Sequence, residues 1–208
     1  MKKLRLGLPI GSLKQTTFDM FKKAGFKILG EERSLNPSID DKEIECILLR
    51  AQEIPKYVES GILDAGLTGK DWIDETKAQV EEVAELIYSK RGLGKVKLVL
   101  SVPVNSKIKS IKDLEGKKIS TELVNVTSEY LKKHGVKADI EFSWGATEVK
   151  APTFVDAIVE LVETGDSLKQ NNLKPIETIM ESTTRIIVNK ESFKDKWKKQ
   201  KIENIAIL

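Results

Sequence analysis

Short runs of β-branched and aliphatic residues alternate along this chain with polar stretches that carry apolar residues at helical spacing. Few architectures accept that alternation. Leu4 to Leu8 predicts a first strand, closed by Pro9-Ile10-Gly11-Ser12. Leu13, Phe18, Phe21 and Ala24 then fall at roughly helical spacing, with Ser12 expected to cap that helix and Gly25 to end it. Ile44 to Leu49 reads as a strand, Glu53 to Ser60 as a short helix ending at Gly61, and Leu63 to Gly69 as a short strand opening into a turn. A helix over Lys70 to Asp74 and a strand near Val83 to Tyr88 follow.

The segment Ser89 to Lys95, with Gly92 and Gly94, reads as a crossover, and the alternation restarts beyond it. Strands are expected at Lys97 to Val102, Gly116 to Ser120, Ala138 to Phe142, Ile176 to Met180 and Arg185 to Val188. A helix over Val124 to His134 ends at Gly135, and one final amphipathic helix carries Phe193, Trp197, Ile202, Ile205 and Leu208. Strands alternating with helices imply a mainly parallel sheet. Two such series with a C-terminal return suggest two α/β lobes facing across a cleft, one of residues 1–88 plus 183–208 and the other of 89–182. Ligands in open α/β sheets bind beyond the carboxyl ends of strands, and the turns after Leu8, Leu67, Ser120 and Val162 lie there. The chain stops in an apolar run, Ile205-Ala206-Ile207-Leu208, without a polar cap, which favours either a partner or a continuing chain.

Composition narrows the function classes. Lys+Arg 35 against Asp+Glu 32 leaves a net charge of only +3, spread along 208 residues in short clusters mixed with acids. A nucleic-acid surface would show a denser basic stripe with interleaved aromatics, so solvated helix faces account for these lysines. The single cysteine, Cys46, permits no intrachain disulfide and is expected to lie buried in a strand. Met1-Lys2-Lys3-Leu4-Arg5 leads straight into a strand with no long apolar segment, which predicts neither a signal peptide nor a membrane span and fits a cytoplasmic protein.

One run speaks to function more directly. Asp156 to Leu168 joins an apolar strand, Ala157 to Val162, to Glu163-Thr164-Gly165-Asp166-Ser167 and then a polar helical segment. A strand, a tight turn with glycine and hydroxyls, and a new helix leave backbone N–H groups pointing outward in a geometry that suits phosphate. An ordinary strand-to-helix connection is the commoner origin of such a turn seen alone.

Four further segments stand beside it: Arg50 to Val58 (RAQEIPKYV), Leu63 to Trp72 (LDAGLTGKDW), Thr121 to Thr127 (TELVNVT) and Phe142 to Pro152 (FSWGATEVKAP). Together, in this order, the five resemble the ATP phosphoribosyltransferases, the enzymes that open histidine biosynthesis. The resemblance covers nearly the whole chain. It implies a two-lobed α/β fold of the periplasmic-binding-protein type. It also implies transfer of the phosphoribosyl group of phosphoribosyl diphosphate (PRPP) to N1 of ATP, giving phosphoribosyl-ATP and diphosphate. The style of GATEVKAP and ELVNVT resembles the catalytic core of the family's long form, which adds a histidine-binding C-terminal domain; a native short form, which instead uses a regulatory subunit similar to histidyl-tRNA synthetase, fits a chain of this length equally. A homodimer of the core, or a hexamer where the regulatory domain is present, goes with the family. A binding-only or regulatory paralogue on the same fold is the other class of reading.

By resemblance, Glu163, Thr164, Gly165, Asp166, Ser167 and Leu168 wrap the ribose 5-phosphate, with Glu160 and Glu148 as the catalytic candidates beside PRPP. Gly11, Ser12, Arg50, Asp64, Thr68 and Gly69 fall on the ATP side. Turn capping is an equal claim on Asp64, a surface ion pair on Arg50, and N-terminal helix stabilisation, about 0.5 kcal/mol, on Glu148. Magnesium is expected on the diphosphate rather than on protein ligands. No protein nucleophile is needed, and the only histidine, His134, belongs to a helix C-terminus. Trp72, Trp144 and Trp197 are expected as packing residues. The chain departs from the family's usual pattern at Ile10, where a polar residue is common, at Glu160, where aspartate is, and at Asp166, where a small neutral residue is. Active enzyme with weakened PRPP binding is the expectation.

Overall fold

A computed structural model of the chain describes residues 2–29, 34–88 and 94–206. The expected crossover at 89–95 and the apolar end at 207–208 fall largely or wholly outside them. In chain order the elements are β1 (Leu4–Pro9), α1 (Lys14–Lys23), β2 (Ile28–Leu29), β3 (Ser38–Ile39), β4 (Ile44–Leu49), α2 (Ile54–Glu59), β5 (Ala65–Gly69), α3 (Lys70–Thr76) and β6 (Glu81–Leu86). Then come β7 (Val96–Pro103), β8 (Lys118–Thr121), α4 (Val124–Lys133), β9 (Asp139–Phe142), β10 (Ala157–Val162), α5 (Asp166–Gln170) and β11 (Leu173–Ser182). The chain closes with β12 (Thr184–Val188), α6 (Lys190–Lys194) and α7 (Lys196–Ile205). Its contacts divide it into two compact units, Met1–Gly94 with Thr183–Leu208, and Lys95–Ser182.

The first unit is built on a five-stranded sheet in the order β4-β1-β5-β12-β6. Its parallel centre is in register from Leu4↔Ile44 to Pro9↔Leu49 on one side of β1 and at Gly7↔Gly66 on the other. Only β12 runs against its neighbours, pairing antiparallel with both β5 and β6. Leu4, Leu6 and Leu8 alternate onto one face and are fully buried with Phe21, Leu67, Ile186 and Ile202; each such leucine contributes about 2 kcal/mol. On the other face, Ile54 and Val58 of α2 pack down with Leu63 and Ile187. They come so close that a Cβ on Gly66 would lie 2.4 Å from Ile54 Cγ2. Cys46 is buried in β4 as a free thiol, and burial pushes that thiol up to about 12.

The second unit repeats the plan, with sheet order β11-β7-β10-β8-β9. Here β7 alone runs against the rest, antiparallel to β10 and β11, while β10, β8 and β9 are parallel. Both sheets are therefore mixed, with four strands one way and one the other. In each case the opposed strand is the first after the chain enters that unit from its neighbour.

Two local expectations are corrected, and one small element is added. Ser12 caps nothing: a short helical turn over Gly11–Leu13 precedes α1, whose N-cap is Leu13 with no side-chain cap bond. The final amphipathic helix is two helices, because Asp195 leaves helical geometry and accepts hydrogen bonds from the N–H groups of Trp197 and Lys198, while Asn189 caps α6 in the same way. The small β2–β3 pair is too short to show a period of two and was not foreseen. No helix among the described residues is long and apolar enough to cross a membrane.

Candidate active site

The parallel strands of the second unit end together. Register pairs Thr121 with both Val159 and Phe142, so Glu122, the Ser143–Ala146 turn and the last half of β10 meet at one edge of the sheet. Ser143 is fully buried there. Its Oγ lies 2.9 Å from Thr147 Oγ1 and accepts from Lys150 Nζ at 2.9 Å, while Lys150 also donates to Ser120 Oγ at 3.1 Å. The turn is held from the other side by Ser143 N–H, which donates to the Thr121 carbonyl at 2.8 Å.

Three carboxylates converge on this frame. Burial pushes the Glu160 carboxyl from its ordinary 4.5 up to about 7, with the Thr147 hydroxyl and the Leu161 N–H pulling the other way and the charges of Glu148 and Glu122 adding to the rise. Ser167 Oγ donates to Glu148 Oε1. That bond ties the Glu163–Leu168 loop after β10 to the Thr147–Val149 turn. Within the loop, Gly165 takes a left-handed φ of 81° that allows α5 to start. Thr164 Oγ1 donates to Asp166 Oδ2 at 2.8 Å, so that hydroxyl is already engaged by the aspartate. Glu163, Thr164, Asp166 and Ser167 are exposed, and Leu168 anchors the loop in the core. The structure thus gathers Glu148, Glu160 and the Glu163–Leu168 loop at one edge. Sequence reasoning missed Lys150, Glu122, Ser143 and Thr147 as their companions. Lys150 was the legible one, being the lone cation inside GATEVKAP.

The first unit has its own carboxyl edge. Gly11, Ser12, Arg50, Thr68 and Gly69 all follow or end β1, β4 and β5, and Ile10 N–H donates to the Leu49 carbonyl at 2.8 Å. Arg50 is exposed with no ion-pair partner among the described residues. Thr68 is buried and donates to the Ala51 carbonyl at 2.7 Å, fixing the turn that carries Arg50. A Cβ on Gly69 would stand 2.1 Å from Oδ1 of Asp71, itself only 3 % exposed. Gly69→Ala is therefore expected to destabilise the protein by about 2 kcal/mol, read as a lower urea midpoint at unchanged slope.

Asp64 does not join this edge. It precedes β5, at the amino end of the strand, about 16 Å from Gly69 at an extended rise of about 3.3 Å per residue. Its carboxylate, 1 % exposed, accepts from Arg5 N–H at 2.8 Å, Ser192 Oγ at 2.7 Å and Lys198 Nζ at 2.6 Å. Burial alone would raise this carboxyl; those hydrogen bonds and the Lys198 charge bring it below the ordinary carboxylate value. These bonds give Asp64 a structural role, and the structure does not bring it together with the other residues expected on the ATP side. Trp144 is corrected: it is 93 % exposed rather than packed. Trp197 is partly buried against the core, and His134 caps the far end of α4 with Nδ1 2.9 Å from the Tyr130 carbonyl.

Known proteins are similar to this chain over nearly its whole length. The family model HisG: ATP phosphoribosyltransferase matches residues 50–207. The chain is 58% identical over 207 residues to the ATP phosphoribosyltransferase of Chlorobium chlorochromatii, covering 100% of itself and 70% of that protein. It is 59% identical to that of Thermodesulfovibrio yellowstonii, covering 100% of itself and 71% of the relative. Among solved structures, a chain of the ATP phosphoribosyl transferase (HisG:HisZ) complex from Thermotoga maritima superposes with a TM-score of 0.81 at 27% identity, over 98% of both chains. A histidine kinase sensor domain with similarity to periplasmic binding proteins shares the fold alone, with a TM-score of 0.63 at 16% identity over 99% of this chain and 90% of that one. A fold of the periplasmic-binding-protein kind, a family model that matches residues 50–207 and relatives close to 60% identical lead to one conclusion: the chain belongs to the HisG family of ATP phosphoribosyltransferases.

Proposed function

We propose that the chain joins ATP to PRPP as the first step of histidine biosynthesis. A bond forms between adenine N1 and the anomeric carbon, the bond from that carbon to the diphosphate oxygen breaks, and diphosphate leaves. The observation that carries this is the Ser167–Glu148 hydrogen bond, which brings the loop suited to a 5-phosphate against the carboxylates that would face the ribose. A displacement of this kind passes through a cation-like sugar, so the protein's task is alignment and charge. Glu148 and Glu160 supply negative charge beside the ribose, and the Glu163–Leu168 loop fixes the phosphate. In the first unit, Gly11, Ser12, Arg50 and Gly69 hold ATP, with Arg50 meeting its phosphates and Thr68 setting the Arg50 turn.

Magnesium enters with the diphosphate. Among the described residues no group of three acidic, His or Cys side chains is disposed to hold a metal ion. The negative charges of Glu122 and Glu148 acting on Glu160 nevertheless suit a cation borne by substrate, which needs only one or two carboxylates beside its phosphate oxygens. Bound there, it would neutralise the leaving oxygens. By likeness to the Thermotoga maritima complex, a HisZ-like subunit is a candidate partner beside self-association.

Incubation with ATP, PRPP and magnesium should produce the ultraviolet absorbance of the adduct. Intact ligand binding with no adduct would instead make the chain a binding-only relative. Asp166 competes for the Thr164 hydroxyl and sets a carboxylate inside a phosphate cradle. Asp166→Ser should therefore lower PRPP KM by about ten-fold, equivalent to roughly 1.4 kcal/mol, and Ile10→Lys should act in the same direction; steady-state kinetics of both variants checks this.

A further inference from the structure

The turn after β9 places one aromatic side chain where burial does not account for it. Trp144 is 93 % exposed and touches the half-exposed Phe142 edge-to-face, ring centroids 4.9 Å apart at 86°. An indole so exposed gains little from burial. Its backbone, by contrast, is held on both sides. Ser143 before it is fully buried and bonded to Thr147, Lys150 and Thr121. Gly145 and Ala146 after it both adopt positive φ, 115° and 49°. For Ala146 that conformation costs on the order of 1 kcal/mol. The loop accepts strain and leaves its largest side chain in solvent, a combination that marks ligand contact rather than packing.

The position identifies the ligand. A Cβ on Gly145 would lie 3.7 Å from Glu122 Oε1, and Glu122 belongs to the carboxylate group around Glu160. Trp144 therefore stands at the rim of the carboxyl edge of the second unit. On the reading above, whose failure would remove the reason for a purine here, the base must reach an anomeric carbon held by the Glu163–Leu168 loop at this same edge, whichever groups hold its triphosphate. An aromatic face offers a purine a stacking surface that fixes its plane. The other strongly exposed aromatic of this unit, Phe154, lies just before Asp156, whose N–H bonds Lys118 at the amino end of β8. It belongs to the wrong end. We propose that Trp144, braced by Phe142, is the stacking platform for the adenine of ATP and orients N1 toward the ribose.

Two readouts test this on the full chain. ATP should quench tryptophan fluorescence in the parent, and Trp144→Phe should abolish that quench although Trp72 and Trp197 remain. Trp144→Ala should raise ATP KM by about ten-fold, with the loss falling on ATP rather than PRPP, and Trp144→Phe should recover most of it. An unchanged ATP KM in Trp144→Ala, with an active parent, overturns the inference while the proposed reaction stands. A shift in oligomeric mass with ATP KM unchanged also overturns it, assigning Trp144 to a protein interface instead. A parent that forms no adduct yet shows an ATP quench dependent on Trp144 sinks the reaction and supports the platform.

Discussion

Glu160→Gln is expected to yield a protein that resists unfolding better than the parent at pH 8 yet has lost most of its activity. The folded carboxyl titrates near 7 and the unfolded one near 4.5, so the folded state holds its proton more tightly. Stability must then fall as pH rises from about 4.5 to about 7 and stay reduced above. Linkage alone gives about 3 kcal/mol for such a shift, and partial exposure brings it to about 2 kcal/mol. Glutamine keeps the shape, can still hydrogen-bond Thr147, and carries no charge to desolvate or to repel Glu148 and Glu122. Melting curves of parent and variant should therefore separate at pH 8 and converge near pH 4.5. On the proposed reading the charge of Glu160 serves the sugar, and its loss should lower kcat/KM on the order of a hundred-fold. A variant less stable than the parent at pH 8 would show that the carboxylate is held by attraction rather than against repulsion.

Asp64→Ala should do the opposite, costing stability without touching ATP. Removing the carboxylate strands Lys198, only 21% exposed, and leaves Ser192 Oγ and Arg5 N–H without their acceptor. Breaking a buried pair from one side costs about 3 kcal/mol, equivalent to a fall in Tm on the order of 10 °C for a chain of this size. Because the folded carboxyl sits below its ordinary 3.8, its contribution is present above that value and is lost as pH falls through the depressed one. Parent and variant should converge in acid. ATP KM should stay within about two-fold of the parent, well under the ten-fold that 1.4 kcal/mol of lost binding would give. A large rise would return Asp64 to the ATP site.

The contrast between these residues shows what was legible in the sequence. Residue types and spacing marked β10 with its loop because five aliphatic residues in a run of six, then Gly165 among hydroxyls, is a local pattern with a local cause. Asp64 sits in an equally suggestive string, LDAGLTG, yet its partners Ser192 and Lys198 lie 128 and 134 residues away; no local reading finds them. The same limit hid Lys150, whose acceptors Ser120 and Ser143 come from β8 and from the turn after β9. Strand direction was half legible: alternation predicts parallel pairs, but β7 and β12 take their direction from the chain's passage between units. The break at Asp195 was the avoidable miss, since aspartate ahead of Trp197 and Lys198 is an ordinary N-cap that helical spacing alone overrode.

The place of β12 between β5 and β6 bears on how the protein is made. During translation residues 95–182 emerge as an uninterrupted stretch and can complete their five-stranded sheet. The first unit cannot yet do so, for β5 and β6 share no ladder until Thr184–Val188 leaves the ribosome. For the time taken to synthesise about a hundred residues, at roughly 5–20 per second, the nascent chain carries two open strand edges. That interval is when chaperone capture or misassociation between neighbouring polysomal chains has its opening.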